Sequence, residues 1–409
     1  MNGKAAPRPA RGRWLALSMT CAALVLVMTS WFSATAVLPA LAAHWGLTAG
    51  DAAWLTIWVQ IGFVAGALFA SITGLPDIVS PRLVMGLSAL LAALSNIALL
   101  WAPDAGFAYA ARFVTGFALA GVYPPAMKLI STWFVHGRGT ALGVVVGALT
   151  LGSASPHLIR ALAVGPDWRA VITASTVCVA VGAFTMGVLV REGPFPFARA
   201  SFDPAKLGAV LRDRPLLLAN IGYFGHMWEL YAMWGWFLAF AAAALPALGL
   251  VDAASASLLA FGVIASGLAG AVAGGLLADR IGRTATAAIM LALSGLCALT
   301  IGFAFDGPLW LLVAIGVLWG VTVIGDSAQF SAMATELADR SQVGAALALQ
   351  LGLGFALTVV SIRLTPVVAD WIGWRWTFLI LVPGPVVGLI AMMLLRRHPG
   401  AVRIAHGLR

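Results

Sequence analysis

The feature that most constrains this chain is the length of its apolar runs. About twenty mainly apolar residues follow one another between short polar breaks, at 14–42, 51–75, 82–102, 106–130, 139–163, 168–190, 215–243, 253–277, 284–304, 308–331, 343–367 and 373–395. A run of that length crosses the hydrocarbon of a bilayer as a helix, because lipid leaves the backbone to satisfy its own hydrogen bonds. Composition agrees: 61% of residues are hydrophobic and 10% charged, with a mean hydropathy of +0.98, against about a quarter charged in soluble domains. The expectation is an all-α membrane protein with twelve transmembrane helices.

The breaks are short and rich in turn residues, as in "GLTAGD" at 46–51 and "FDGP" at 305–308. One is long. Residues 191–214 begin Pro-rich, and Asp203-Pro204 then signals a short helix whose Leu207, Val210 and Leu211 form one face. This segment reads as a basic linker between two six-helix halves, 1–190 and 215–409.

The net charge of +9 is distributed by side. With the N-terminus cytoplasmic, 19 of the 24 Lys and Arg fall on the side of the termini and linker, the others being Arg112, Arg160, Arg169, Arg363 and Arg375. The opposite loops carry mainly Asp51, Asp104, Asp167, Asp252, Asp306 and Asp370. The positive-inside rule therefore puts both termini in the cytoplasm and points to the bilayer, not nucleic acid, as the partner of the basic residues. A rival reading takes the basic N-terminus and "ALAA" at 40–43 as a cleaved secretory signal. The first apolar run is too long for that, and its loss would displace the charge pattern. Cys21, Cys178 and Cys297 lie far apart in apolar runs and indicate neither a disulfide framework nor a metal cluster.

Motifs recur at an offset of just over 200 residues. "DWRAVITAS" at 167–175 is echoed by "GWRWTFLIL" at 373–381, and "GLPDIVSPR" at 74–82 by "GLLADRIGR" at 275–283. The last of these resembles the signature of the major facilitator superfamily on the loop between helices 8 and 9. "RFVTGFALAGVYPPAMKLISTWF" at 112–134 is similar to that superfamily's fourth-helix pattern. The resemblance covers essentially the whole chain and implies two pseudo-symmetric six-helix halves, with helices 1, 4, 7 and 10 lining a central cavity. The first-half loop departs from the signature, with Asp77 followed by Ile78 and then Pro81-Arg82. The fifth helix has the glycine spacing of antiporter members but lacks their Gly-Pro pair. Gly275, Asp279, Arg280, Gly282 and Arg283, with Asp77 and Arg82, are the expected gating residues. Asp279 beside Arg280 and Arg283 would form an ion-pair latch broken by a rocking motion, or would anchor helix ends at the interface.

Ionisable groups inside a span are costly, about 2.5 kcal/mol or more near the centre, and are functional candidates for that reason. In "GYFGHMWELYAMWGW", 222–236, His226 and Glu229 lie near the midplane at a rise of about 1.5 Å per residue. Asn220, Tyr223, His226 and Glu229 succeed one another at spacings of three and are expected to share a polar stripe on helix 7. A histidine and a carboxylate there can bind and release a proton as a cavity changes sides, or can fix packing between helices. Asp326 on helix 10 is the other deep acid, either a second coupling site or a backbone cap. Arg112 on helix 4 is a candidate for gripping an anion, with Lys128 and His157 as further hints of one. Gln60, Tyr123 and Trp31 complete the expected substrate contacts. Arg160 and Arg363 read as snorkelling anchors.

No GxxxxGK[ST] loop or HExxH pattern occurs, so neither ATP hydrolysis nor a metalloenzyme is indicated. No cofactor is implied. The expectation is a secondary transporter moving a small organic or inorganic anion by alternating access, coupled to protons, functional as a monomer in a prokaryotic inner membrane. Proton-driven efflux of drugs or metabolites is the alternative, and a non-transporting membrane sensor or assembly protein the third reading.

Overall fold

The computed structural model describes residues 12–73, 75–134, 138–163, 167–195, 207–339 and 343–409, which are helical almost throughout and hold no strand. Eleven helices among the described residues are long and apolar enough to cross a membrane. In chain order they are Ala49–Thr73, Pro81–Trp101, Ala105–Ser131, Gly139–Leu162, Trp168–Leu189, Arg214–Leu248, Ala253–Ile281, Arg283–Ala304, Leu309–Leu337, Val343–Ile372 and Trp374–Arg397. They correspond to the second to twelfth apolar runs and are called spans 2 to 12.

Span 1 is not the single helix expected over 14–42. It is divided into Arg13–Met28, Ser33–Ala36 and Leu38–Trp45. At the break, hydroxyls turn back onto the preceding turn: Thr29 Oγ1 donates to Leu26 O at 2.7 Å and Ser30 Oγ to Val27 O at 2.9 Å. Such local bonds compete with the helical ladder, and irregular backbone at membrane depth persists only where protein satisfies it. Arg112 does so here, as described below. Spans 4 and 10 bend at equivalent places, after Gly121 and Gly325, so the internal repeat extends to helix interruptions.

Spans 2 and 4 cross closely, as do spans 8 and 10, because each crossing is made of glycine. A Cβ on Gly116 would overlap the carbonyl oxygen of Val59, and one on Gly274 that of Gly325. With no hydrophobic force between helices in lipid, such small-residue contacts supply the packing. The two sets of spans meet where span 5 runs along span 8 and span 2 along span 11. At the face opposite the termini, the Arg363 guanidinium of span 11 lies over Gly50 at the start of span 2. It reaches across the seam instead of simply anchoring its own helix.

Beyond span 12, residues Pro399–Gly407 form a short 3-10 helix that returns onto the bundle. Arg403 Nη1 donates to Leu337 O at 2.6 Å, and Ala405 N to Glu336 Oε2 at 3.0 Å. The beginning of the linker docks similarly on the end of span 4, with Phe195 N donating to Thr132 O at 3.1 Å. Asp203 and Pro204 lie outside the described residues. In the linker helix Leu207–Arg212, Val210 is buried but Leu211 is exposed. The side chain of Leu207 lies outside the described residues.

Candidate substrate and proton site

The polar stripe expected on span 7 does not exist as one face. At 3.6 residues per turn, nine residues make about two and a half turns, so Asn220 and Glu229 point to opposite sides. Asn220 Oδ1 accepts from Gln350 Nε2 of span 11 at 3.0 Å. Glu229 points toward spans 9 and 10, where Oε1 accepts the indole N–H of Trp319 at 2.7 Å and Oε2 the hydroxyl of Ser294 at 2.9 Å. His226 lies between these directions. Its Nδ1 is 2.8 Å from Asp326 Oδ1, with both side chains 1% exposed. That oxygen has no well-directed donor among the described residues, so the pair is close without being aligned as a hydrogen bond.

His226 and Glu229 therefore each have their own acid–base or donor partners. Asp326 does not cap the second segment of span 10, since no side-chain cap bond is made there. Its carboxylate is turned to His226 at the bend between the two segments. A carboxylate held by two neutral donors and a second carboxylate against an imidazole make two buried places where a proton can reside. Trp319 and Ser294 were not singled out from the sequence as partners, although a tryptophan in mid-span has a polar N–H that must find one.

Arg112 is fully buried, and its guanidinium is taken up by the neighbouring backbone. Nε donates to Leu55 O at 3.1 Å, Nη1 to Ser30 O at 2.8 Å and Ser33 Oγ at 3.3 Å, and Nη2 to Trp31 O. These acceptors belong to the interrupted span 1 and the start of span 2. As placed, the arginine holds that break together, and gripping an anion would require releasing those bonds.

The break carries Trp31 into an aromatic cluster that joins the two sets of spans. Its ring is stacked on Tyr231 of span 7 at 5.8 Å and contacts Phe63 of span 2 at 5.0 Å and Phe355 of span 11 at 6.3 Å. Phe32 and Trp234 extend the cluster through Tyr231. Several polar atoms in this region have no hydrogen-bond partner among the described residues: the indole nitrogens of Trp31 and Trp234, and both amide atoms of Gln60. Gln60 lies one turn from Phe63 on span 2 and is wholly buried. Tyr223 packs edge-on against Phe330 of span 10 at 5.9 Å, and Tyr123 opens the second segment of span 4. Above the cluster, on the face opposite the termini, a cavity of about 240 Å³ is lined by apolar residues, among them Leu38, Ala52, Gly235 and Leu238.

The expected latch is arranged differently. Arg283 makes a two-point pair with Glu336, Nη2 to Oε1 at 2.7 Å and Nε to Oε2 at 2.9 Å, and Nη1 donates to Gln329 at 3.1 Å. These partners lie on span 10, the immediate neighbour of span 9, so the pair ties two adjacent helices and does not cross the seam. Asp279 does face the seam, with Oδ1 3.9 Å from where a Cβ on Gly139 of span 5 would sit, and Gly275 faces the Gly139 carbonyl. Gly282, with φ of 91°, makes the turn between spans 8 and 9 that the family pattern reserves for glycine. Arg280 is exposed on the last turn of span 8 and Arg82 at the start of span 3. Asp77 lies in the backbone helix Leu75–Ile78, but its side chain is outside the described residues.

The sequence profile of the Major Facilitator Superfamily matches residues 20–251 and again 230–407. The niacin transporter NiaP of Acinetobacter baylyi is 30% identical over 131 residues, which cover 30% of this chain and 29% of that protein. The MFS-type transporter pytF of Aspergillus terreus is 31% identical over 139 residues, covering 33% of this chain and 44% of the relative. The chain spans less than half the length of the curated relatives it matches.

Proposed function

The chain belongs to the major facilitator superfamily, an integral-membrane family of solute transporters, and from that premise we propose that it moves a small organic anion, preferably a planar aromatic acid, in exchange for or together with protons. The observation that carries this reading is the pair of buried proton sites in the later spans, Glu229 with Trp319 and Ser294, and His226 with Asp326. Ionisable groups at that depth are costly and are kept where they work. A proton arriving at the His226–Asp326 pair changes a buried charge at the bend of span 10, and one arriving at Glu229 changes the charge bonded to Trp319 earlier on the same span.

The aromatic cluster around Trp31 and Tyr231 supports a flat solute, since stacked rings present apolar faces at a tight spacing. Apart from Asp51 at the outer end of span 2, the apolar runs of the first six spans hold no Asp or Glu, and the unpartnered groups near the cluster include the indole donors and the Gln60 amide. On the side of the first six spans, a donor-rich wall with no deep acid favours an anion or a neutral acid over a cation. One relative is named for niacin, a small aromatic acid, and this agrees with the class. Alternating access would then rock the two halves, 1–190 and 215–409, about the linker, with both termini in the cytoplasm and the chain acting as a monomer.

A second reading is favoured by the apolar lining of the cavity opposite the termini. Such walls suit the efflux of amphipathic molecules, a process in which protons would run counter to the solute. Counterflow in proteoliposomes decides between them. Labelled benzoate or nicotinate is expected to accumulate against an unlabelled internal pool, and an amphipathic cation such as tetraphenylphosphonium is not. Accumulation of the cation alone would replace the first reading by the second.

A further inference from the structure

A polar side chain buried without a hydrogen-bond partner costs about 1–3 kcal/mol, and span 5 carries two of them one turn apart. Neither nitrogen of His157 has a partner among the described residues, and the side chain is wholly buried. The hydroxyl of Ser153, four residues earlier and therefore on the same face, is also unpartnered and buried. Neighbouring hydroxyls on this helix show what a merely structural serine or threonine does. Thr150 Oγ1 donates to Val146 O at 2.9 Å and Ser155 Oγ to Leu151 O at 2.8 Å. Ser153 has no such bond, although the same kind of acceptor is available to it.

Position adds to the contrast. Span 5 packs along span 8 at the seam, and also against the short helix Ser33–Ala36 that follows Trp31 and Phe32. Both orphaned groups sit in its half remote from the termini, the depth of the Trp31 cluster. Asn96, a larger polar group buried within the first set of spans, is paired with Ser33 and Thr176. His157 and Ser153 of span 5 and Gln60 of span 2 are not, and besides the small hydroxyls of Thr20 and Ser175 they are, among the described residues, the unpartnered buried polar groups of these spans that carry more than an indole N–H.

We propose that His157 and Ser153 form the polar end of the substrate site, binding the carboxyl or carboxamide group of a solute whose ring is held by the Trp31–Tyr231 cluster. This rests on the reading of an aromatic solute bound between the halves. A neutral imidazole offers one N–H donor and one acceptor, and a hydroxyl can do both, so the two together can donate to the two oxygens of a carboxylate, or donate to the oxygen and accept from the N–H of a carboxamide. The arrangement discriminates by chemistry: a ring without that group would leave the imidazole and hydroxyl unpaired and bind weakly.

The test uses the full chain in detergent, followed by thermal unfolding with benzoate, nicotinate, benzamide and the apolar control toluene, in wild type, His157→Phe, His157→Gln and Ser153→Ala. A ligand that binds only the folded state raises the melting temperature. The proposal expects stabilisation of the wild type by the carboxyl or carboxamide probes and not by toluene. It expects at least a tenfold weaker apparent affinity in His157→Phe and partial recovery in His157→Gln. It also expects the ligand-free His157→Phe protein to melt no lower than wild type, because an unpaired polar group has been removed. Equal stabilisation of wild type and His157→Phe would overturn the proposal while leaving the aromatic site standing. Failure of every probe to stabilise the wild type would overturn the aromatic-acid reading itself, and a lower melting temperature of ligand-free His157→Phe would show that the histidine is structural.

Discussion

The indole N–H of Trp319 reaches Glu229 Oε1 at 2.7 Å, joining residues ninety positions apart inside the later spans. Both side chains are fully enclosed, so the bond is between a buried acid and a neutral donor with no water competing for either. Its loss leaves Ser294 as the acid's remaining partner. Trp319→Phe is expected to lower stability by about 1–3 kcal/mol, and Glu229→Gln/Trp319→Phe by less than the sum of the single changes. A double-mutant cycle of thermal unfolding in detergent measures this. Strict additivity would mean that the two side chains are energetically independent.

Arg112 gives the second prediction. It binds the backbone of Ser30, Trp31 and Leu55 with a planar fork that a lysine cannot reproduce. Arg112→Lys is therefore expected to melt well below wild type in the absence of any solute, by about 2–4 kcal/mol in stability if two or more carbonyls lose their donors. An anion-binding arginine would behave oppositely, with near-normal stability and a selective loss of affinity.

Glycines at the helix crossings separate by position. A methyl on Gly274 would strike the Gly325 carbonyl, whereas one on Gly262, in the same span, meets nothing within 4 Å. Gly274→Ala is expected to cost about 1–3 kcal/mol by overpacking, and Gly262→Ala to be neutral or to stabilise by up to about 1 kcal/mol through helix propensity. Melting curves of the two variants side by side check the sign of each.

Arg283 and Glu336 are partly exposed, and Glu336 also accepts from Ala405 N of the C-terminal segment. Because the pair joins neighbouring spans, Arg283→Ala is expected to lower stability by roughly 1 kcal/mol, discounted for solvent screening, with little change in transport rate. A latch across the seam would instead speed or uncouple transport when broken. Flux measured on reconstituted Arg283→Ala beside Asp279→Asn distinguishes the two, since only Asp279 faces span 5.

Much of the architecture was legible in the sequence because lipid imposes it. Apolar length alone located spans 2 to 12 to within a few residues, apart from spans 7, 8, 10 and 11, whose helices run on past the apolar core. The interruption of span 1 was not legible: Thr29-Ser30-Trp31-Phe32 contains no Gly or Pro, and the break depends on Arg112, which is 81 residues from Trp31 in sequence. For the site, His226, Glu229 and Asp326 stood out because charge at membrane depth is rare. Their pairing did not, since spacing along one helix says nothing about which neighbour a side chain meets. The stripe drawn through Asn220 and Glu229 failed for a simpler reason: steps of three drift around a helix by about 60° each.

Glu229 is the group proposed to carry the proton that solute movement requires. The most direct measurement is solute-driven proton movement in proteoliposomes with an internal pH dye, in wild type and Glu229→Gln, alongside solute counterflow in the same vesicles. Glu229→Gln is expected to abolish the pH change while counterflow of benzoate or nicotinate persists, because exchange needs no net proton transfer. An undiminished pH change in Glu229→Gln would contradict that role and move the coupling to the His226–Asp326 pair.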